Sequence, residues 1–273
     1  MNKFSVDDRQ MAYLDVGQGP VVVFGHSYLW DSQMWAPQVE QLSQSYRCIV
    51  PEFWGHGESD FAPQATRALK DYAQQVLALL DHLAIEECVL VGLSVGGMWG
   101  TELVALAPQR IKGLVLMDTF VGLEPEVAHK KYFAMLSTIE SEQQVSAEII
   151  DTIAPLFFAQ DAEQDNPQLV SAFKQSLTEI QGDRAKEMAR IGRMVFGRRD
   201  LIEELEKFAL PTLIAVGQED KPRPVLESYL MADCVVGAEF IQIPKAGHIS
   251  NLEQPEFVCN MLAGFLTRVY SNK

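Results

Sequence analysis

The chain reads as an α/β fold, a mainly parallel sheet flanked by helices, and three observations predict it. Short β-rich runs alternate with amphipathic helical stretches along much of the 273 residues, which is the sequence form of a sheet covered on both faces. The apolar run Cys88-Val89-Leu90-Val91 opens directly into Gly92-Leu93-Ser94-Val95-Gly96-Gly97 and then into a helix-like stretch. Finally, the alternation stops after Asp118 and resumes only beyond residue 206, so a purely helical insertion is expected between two sheet strands.

Taken in order, strands are expected at 9–16, 21–24, 47–51, 89–91, 113–117, 212–216 and 239–243. The first should form an antiparallel hairpin with material on either side. Helical periodicity runs through 34–44, 66–83, 98–107 and 255–270, and Pro108 and Gly113 punctuate one helix-to-strand return. The insertion carries helical segments around 127–139, 147–158, 168–180, 184–195 and 201–208. With no repeat, low-complexity tract or linker, the expectation is one domain: a core of residues 1–123 and 207–273 with a helical cap at 124–206.

Composition narrows the function. Residues are 48% hydrophobic and 22% charged, with 37 acids against 22 Lys plus Arg and a formal net charge of -15. A polyanion would be repelled, so nucleic acid is an improbable partner. Cys48, Cys88, Cys234 and Cys259 are widely spaced and read as reduced thiols. The N-terminus has no basic start followed by an apolar stretch, and no apolar run spans a bilayer, so a cytoplasmic location without membrane contact is expected. No ligand spacing, Walker loop or dinucleotide fingerprint calls for a metal or other cofactor.

Ser94 falls at a tight strand-to-helix turn, where glycines two residues to either side avoid side-chain clashes as strand and helix converge. Such a turn exposes the hydroxyl, and a serine hydroxyl becomes a nucleophile only when a base takes its proton and a third group holds that base. His248, in a loop after the last strand, can reach the carboxyl edge of the sheet. Of the other histidines, His82 lies in a helix and His129 in the insertion, while His26 and His56 suit loop-shaping hydrogen bonds. Asp220, in the loop after strand 212–216, is the chosen acid, and Asp118, which also ends a strand at that edge, is its competitor. The order Ser94, Asp220, His248 is the one expected when this triad is built on such a sheet.

Several motifs together make the chain resemble the α/β-hydrolase superfamily over essentially its whole length. Gly25-His26-Ser27-Tyr28 is similar to that family's oxyanion loop, Gly55-His56-Gly57-Glu58-Ser59 to its G-x-G-x-S turn, and Gly217-Gln218-Glu219-Asp220 to its acid turn. Gly247-His248 with Glu253-Gln254-Pro255 matches the histidine loop. The resemblance implies a mostly parallel sheet of the eight-stranded type with an inserted helical cap. Within the superfamily, Ser94 to Met98 and Gly247 to Pro255 look most like the 3-oxoadipate enol-lactonase and carboxylesterase-like branch. Two positions depart from the common pattern: Ser27 stands where a glycine is usual, and Glu52 where an aspartate is usual.

The resemblance implies a serine hydrolase acting on a small-molecule carboxylic ester or lactone, with the backbone N–H groups of Tyr28 and Val95 as oxyanion donors. C–C bond hydrolysis, thioester hydrolysis and cofactor-free perhydrolysis share the triad, and a ligand-sensing protein that does not turn over is the reading from a different class. Trp30, Met98 and Phe120 are expected to border the substrate. In the insertion, Arg184, Lys186, Arg190, Arg193, Arg198 and Arg199 outnumber Asp183 and Glu187. Arg190 and Arg193, three residues apart on one helical face, are the candidates to grip a substrate carboxylate, against the plainer alternative of a solvated face. Oligomeric state is not legible in the sequence.

Overall fold

The computed structural model describes residues 1–271. Eight strands form one sheet: β1 (Asn2–Val6), β2 (Arg9–Val16), β3 (Val21–Gly25), β4 (Arg47–Pro51), β5 (Cys88–Leu93), β6 (Ile111–Met117), β7 (Thr212–Gly217) and β8 (Glu239–Ile243). Their order is β1-β2-β4-β3-β5-β6-β7-β8. β2 pairs antiparallel with both β1 and β4, and every later pairing is parallel. Every residue of β5 and of β7 is buried, as a central parallel strand covered on both faces requires, and this explains their unbroken apolar runs.

Helices α1 (Ala36–Leu42) and α12 (Pro255–Ser271) pack on one face, where Val39, Leu42, Leu262 and Phe265 meet the inward side chains of β3 to β7. On the other face lie α2 (Leu69–His82), α3 (Val95–Leu106) and α10 (Val225–Cys234), with Tyr72, Leu79, Leu103 and Met231 buried. Burying each such large side chain contributes about 1.5–3 kcal/mol.

Between β6 and β7 the chain is helical: α4 (Glu126–Glu142), α5 (Ala147–Ile153), α6 (Ala162–Asp165), α7 (Pro167–Thr178), α8 (Asp183–Phe196) and α9 (Ile202–Leu205). The expected helix over 147–158 stops at Ile153 and finishes as a 3-10 turn, Ala154–Leu156, because Pro155 cannot continue the α-helical hydrogen bonding. Four elements were not anticipated individually: β1, α10 and the single-turn helices at Ala162–Asp165 and Ser250–Glu253. β1 is an exposed edge strand of mixed polarity, and α10 leaves Leu226, Tyr229 and Leu230 exposed, so neither carries a clean buried period. Helix α11 (Ser250–Glu253) is a single turn leading into α12. Among the described residues, no helix is long and apolar enough to cross a membrane.

Candidate active site

Parallel strands bring their following loops to one edge of the sheet, and five of those loops build the site. Ser94 lies between β5 and α3 with φ 56 and ψ -121, a conformation that costs a non-glycine residue of order 1–3 kcal/mol. The turn is kept by close approach. A Cβ on Gly96 would stand 2.1 Å from the Gly25 carbonyl oxygen, and one on Gly92 would stand 2.4 Å from the Gly96 backbone. Neither collision is avoidable without moving the main chain. The Thr119 hydroxyl donates to the Ser94 carbonyl at 2.6 Å, a brace on the strained residue that no sequence pattern announced.

His248 Nε2 lies 2.9 Å from Ser94 Oγ, and His248 Nδ1 lies 2.9 Å from Asp220 Oδ2. All three residues are buried. The other Asp220 oxygen accepts the Arg223 backbone N–H at 2.9 Å, which sets the carboxylate's orientation. The imidazole can therefore take a proton from Ser94 while Asp220 holds the Nδ1–H tautomer and stabilises the imidazolium. Asp118 is placed otherwise. Its carboxylate accepts the Gly217 N–H at 2.7 Å and the Ser250 hydroxyl, tying the acid loop to the histidine loop, and has no contact with His248. Burial, and then the nearby Asp220 charge, raise its pKa well above the usual carboxylate range. Glu253 fastens the histidine loop from the outside, accepting the Gly247 N–H at 2.7 Å and the Ala159 N–H of the insertion at 2.9 Å.

Opposite the serine, residues 27–29 follow β3. The N–H groups of Tyr28 and of Val95, the first residue of α3, have no hydrogen-bond partner among the described residues. Two histidines shape this loop. The Phe53 N–H donates to His26 Nε2 at 2.8 Å, so the ring proton is on Nδ1, which donates to the Ser27 carbonyl at 2.8 Å. In the same way Leu29, held at φ 69, donates its N–H to His56 Nε2 at 3.1 Å, while His56 Nδ1 donates to the Trp54 carbonyl at 2.9 Å. Both rings are neutral acceptors: burial lowers both pKa values, that of His56 to about 3. Glu52 closes the neighbouring turn by accepting the Ser32 hydroxyl at 2.7 Å and the Glu58 N–H at 2.6 Å. Its longer side chain fills the space where a Cβ of Gly57 would fall.

Above Ser94 is a narrow cavity of ≈80 Å³, enclosed mainly by apolar side chains of α4, α8 and the turn after α5, including Leu136, Ile139, Phe157 and Val195. Met98 and Tyr28 line it, as does Arg223. Trp30 and Phe120 do not. Trp30 stacks on Phe173 with ring centroids 4.7 Å apart, outside the cavity wall. The expectation for Arg190 and Arg193 also needs correcting, because the faces of α8 divide differently. Arg190 donates to the carbonyls of Ala62, Pro63 and Thr66 at 2.8–3.1 Å and pairs with Glu187, and Arg193 pairs with Glu140 at 2.6 Å. Met188, Val195 and Phe196 are the α8 residues that reach the cavity. The one guanidinium there belongs to Arg223, which sequence reasoning passed over, and it is answered by Glu124 and Glu227.

Comparison with known proteins agrees with this architecture. The chain is 26% identical over 250 residues to 3-oxoadipate enol-lactonase 1 of Acinetobacter baylyi, covering 92% of this chain and 90% of that one. Among solved structures, a thermophilic esterase from Thermogutta terrifontis superposes with a TM-score of 0.88 at 27% identity, over 98% of this chain and 97% of the other. The enol-lactonase from Burkholderia xenovorans gives 0.87 at 25% identity, over 97% and 100%. A family model described as alpha/beta hydrolase fold matches residues 20–255. On that match, and on the sheet and loops that carry it, the chain belongs to the alpha/beta hydrolase family.

Proposed function

We propose that this protein is a serine hydrolase that cleaves small, uncharged carboxylic esters or lactones through an acyl-enzyme on Ser94. The observation that carries the reading is the unbroken hydrogen-bonded line from Ser94 Oγ through His248 to Asp220 beneath an apolar cavity. In the first half-reaction Ser94 Oγ attacks the acyl carbon as His248 Nε2 takes its proton. The tetrahedral oxyanion then faces the free N–H groups of Tyr28 and Val95, each of which is worth about a hundred- to a thousandfold in rate. His248 returns the proton to the leaving alkoxide, the acyl-enzyme forms, and a water deprotonated by the same ring releases the acid.

The cavity supports a narrower substrate class. A space of ≈80 Å³ holds roughly three water-sized groups, which suits a short acyl chain or a small lactone ring. The helical insertion, acting as a cap, supplies most of its apolar wall. Arg223 pairs with Glu227 and shares Glu124 with Arg198, two carboxylates for two cations, so no unpaired cation waits there for an anionic substrate. The enol-lactonase and esterase among the relatives support ester or lactone chemistry, and the apolar cavity favours its neutral form. A panel of neutral esters and lactones of graded acyl length, each with a carboxylate-bearing counterpart, tests this directly. The expected result is highest kcat/KM for short neutral substrates, with activity lost in Ser94→Ala. A consistent preference for the carboxylate-bearing member of each pair would overturn the neutral-substrate reading.

A further inference from the structure

The basic stretch of the insertion, unused by the hydrolytic site, borders a second and larger concavity. On the side of α8 away from Ser94, an open groove of ≈1000 Å³ runs between α8 and the segment 61–71 that leads into α2. It shares no lining residue with the Ser94 cavity. Its lining contains seven cations, from Arg9, Arg67, Lys70, Arg190, Arg193, Arg198 and Arg199, against four carboxylates, from Asp71, Glu102, Glu140 and Glu187. That sign is opposite to the chain's net charge of -15.

The charges are unequally committed. Each carboxylate is occupied: Asp71 accepts the N–H groups of Arg67 and Ala68, Glu102 pairs with Arg199, Glu140 with Arg193, and Glu187 with Arg190 and the Ala62 N–H. The side chains of Arg9, Arg67 and Lys70 have no acceptor among the described residues. Arg198 is turned inward, onto the Glu124 carboxylate that Arg223 shares, and adds no accessible charge to the groove. Its side chain is 3% exposed and donates through Nη1 to Glu124 and to the Val195 carbonyl, but Nε and Nη2 are buried without a partner.

We infer that this groove is a binding site for a small multivalent anion, of the polyphosphate or polycarboxylate kind, separate from the Ser94 cavity. A concavity with a surplus of one sign focuses the field and raises the local concentration of a counter-ion. Oxygens of such a ligand would bridge Arg67, Lys70 and Arg9, which neighbours Asp60 at the start of the 61–71 segment, to the edge of α8. The ligand would sit across α8 from the reacting atoms, and its binding does not depend on the hydrolytic reading.

Titration calorimetry of the full chain in phosphate-free, low-salt buffer tests the assignment, with inorganic triphosphate and citrate as probes of the two ligand kinds. Saturable binding of at least one probe is expected, weakening as salt is added. Arg67→Ala/Lys70→Ala should bind it at least about tenfold more weakly, and Arg9→Ala should also weaken it. The surface control Lys131→Ala should bind as the parent does. Hydrolysis of a neutral ester by the double variant should be unchanged, which shows that it is folded and separates this test from the hydrolase reading. No saturable binding of either probe up to about 10 mM, or equal affinity in the double variant and the parent, would overturn the site.

Discussion

At the scale of single residues, two aspartates compete on chemistry that the geometry separates. Asp220 touches His248, whereas Asp118 spends both oxygens on the Gly217 N–H and the Ser250 hydroxyl. Asp220→Asn is therefore expected to lower kcat on a short ester by about 10⁴. Asp118→Asn should lower it far less and act mainly on stability. A reversed ranking in steady-state kinetics would move the acid to position 118. His56 makes a different prediction. Its folded pKa, pushed down by burial to about 3, lies below the usual 6.5 of the unfolded chain. Between those values the unfolded state binds the proton more readily, so this stability is present above pH 6.5 and is lost as pH falls toward 3. Urea unfolding across that range should show the loss, and His56→Asn should flatten it. An unchanged slope in the variant would contradict a buried neutral ring. Ser94, Asp220 and His248 were legible as a group because each follows a strand at the same sheet edge. Glu253 was legible as part of the histidine-loop motif, but its reach to the Ala159 N–H was not, and Thr119 was not legible, since these hydrogen bonds join segments that no local pattern links.

At the scale of elements, strands buried on both faces announced themselves and partly exposed ones did not. β5 and β7 are continuous apolar runs, while β1 and α10 present mixed faces to solvent. Helix α8 shows the limit of periodicity. Arg190 and Arg193 do share the polar side of an amphipathic helix, but periodicity does not say what that side meets. Here it meets the loop 62–66 and Glu140, so the guanidiniums hold the insertion against the core. Arg190→Ala should accordingly lower unfolding free energy by about 2 kcal/mol through lost charge-assisted hydrogen bonds. KM should change alike for a neutral ester and its carboxylate-bearing counterpart. Paired kinetics and denaturant unfolding check this, and a selective rise in KM for the anion would return Arg190 to substrate recognition.

At the scale of the whole molecule, the parallel sheet gathers chemistry from distant parts of the sequence to one edge, and the helical insertion encloses it. Fold class and the order of the site loops were readable because strand ends and turn glycines are local. The sign and shape of the cavity were not, since they depend on which faces of α4 and α8 turn inward. The central claim is that one chain of this architecture activates one serine, and intact-mass spectrometry after treatment with a fluorophosphonate tests it most directly. A single adduct per chain is predicted, located by peptide mapping at Ser94, absent from Ser94→Ala and strongly slowed in Asp220→Asn. An unmodified protein that still hydrolyses short esters, or an adduct that persists in Ser94→Ala, would contradict the account.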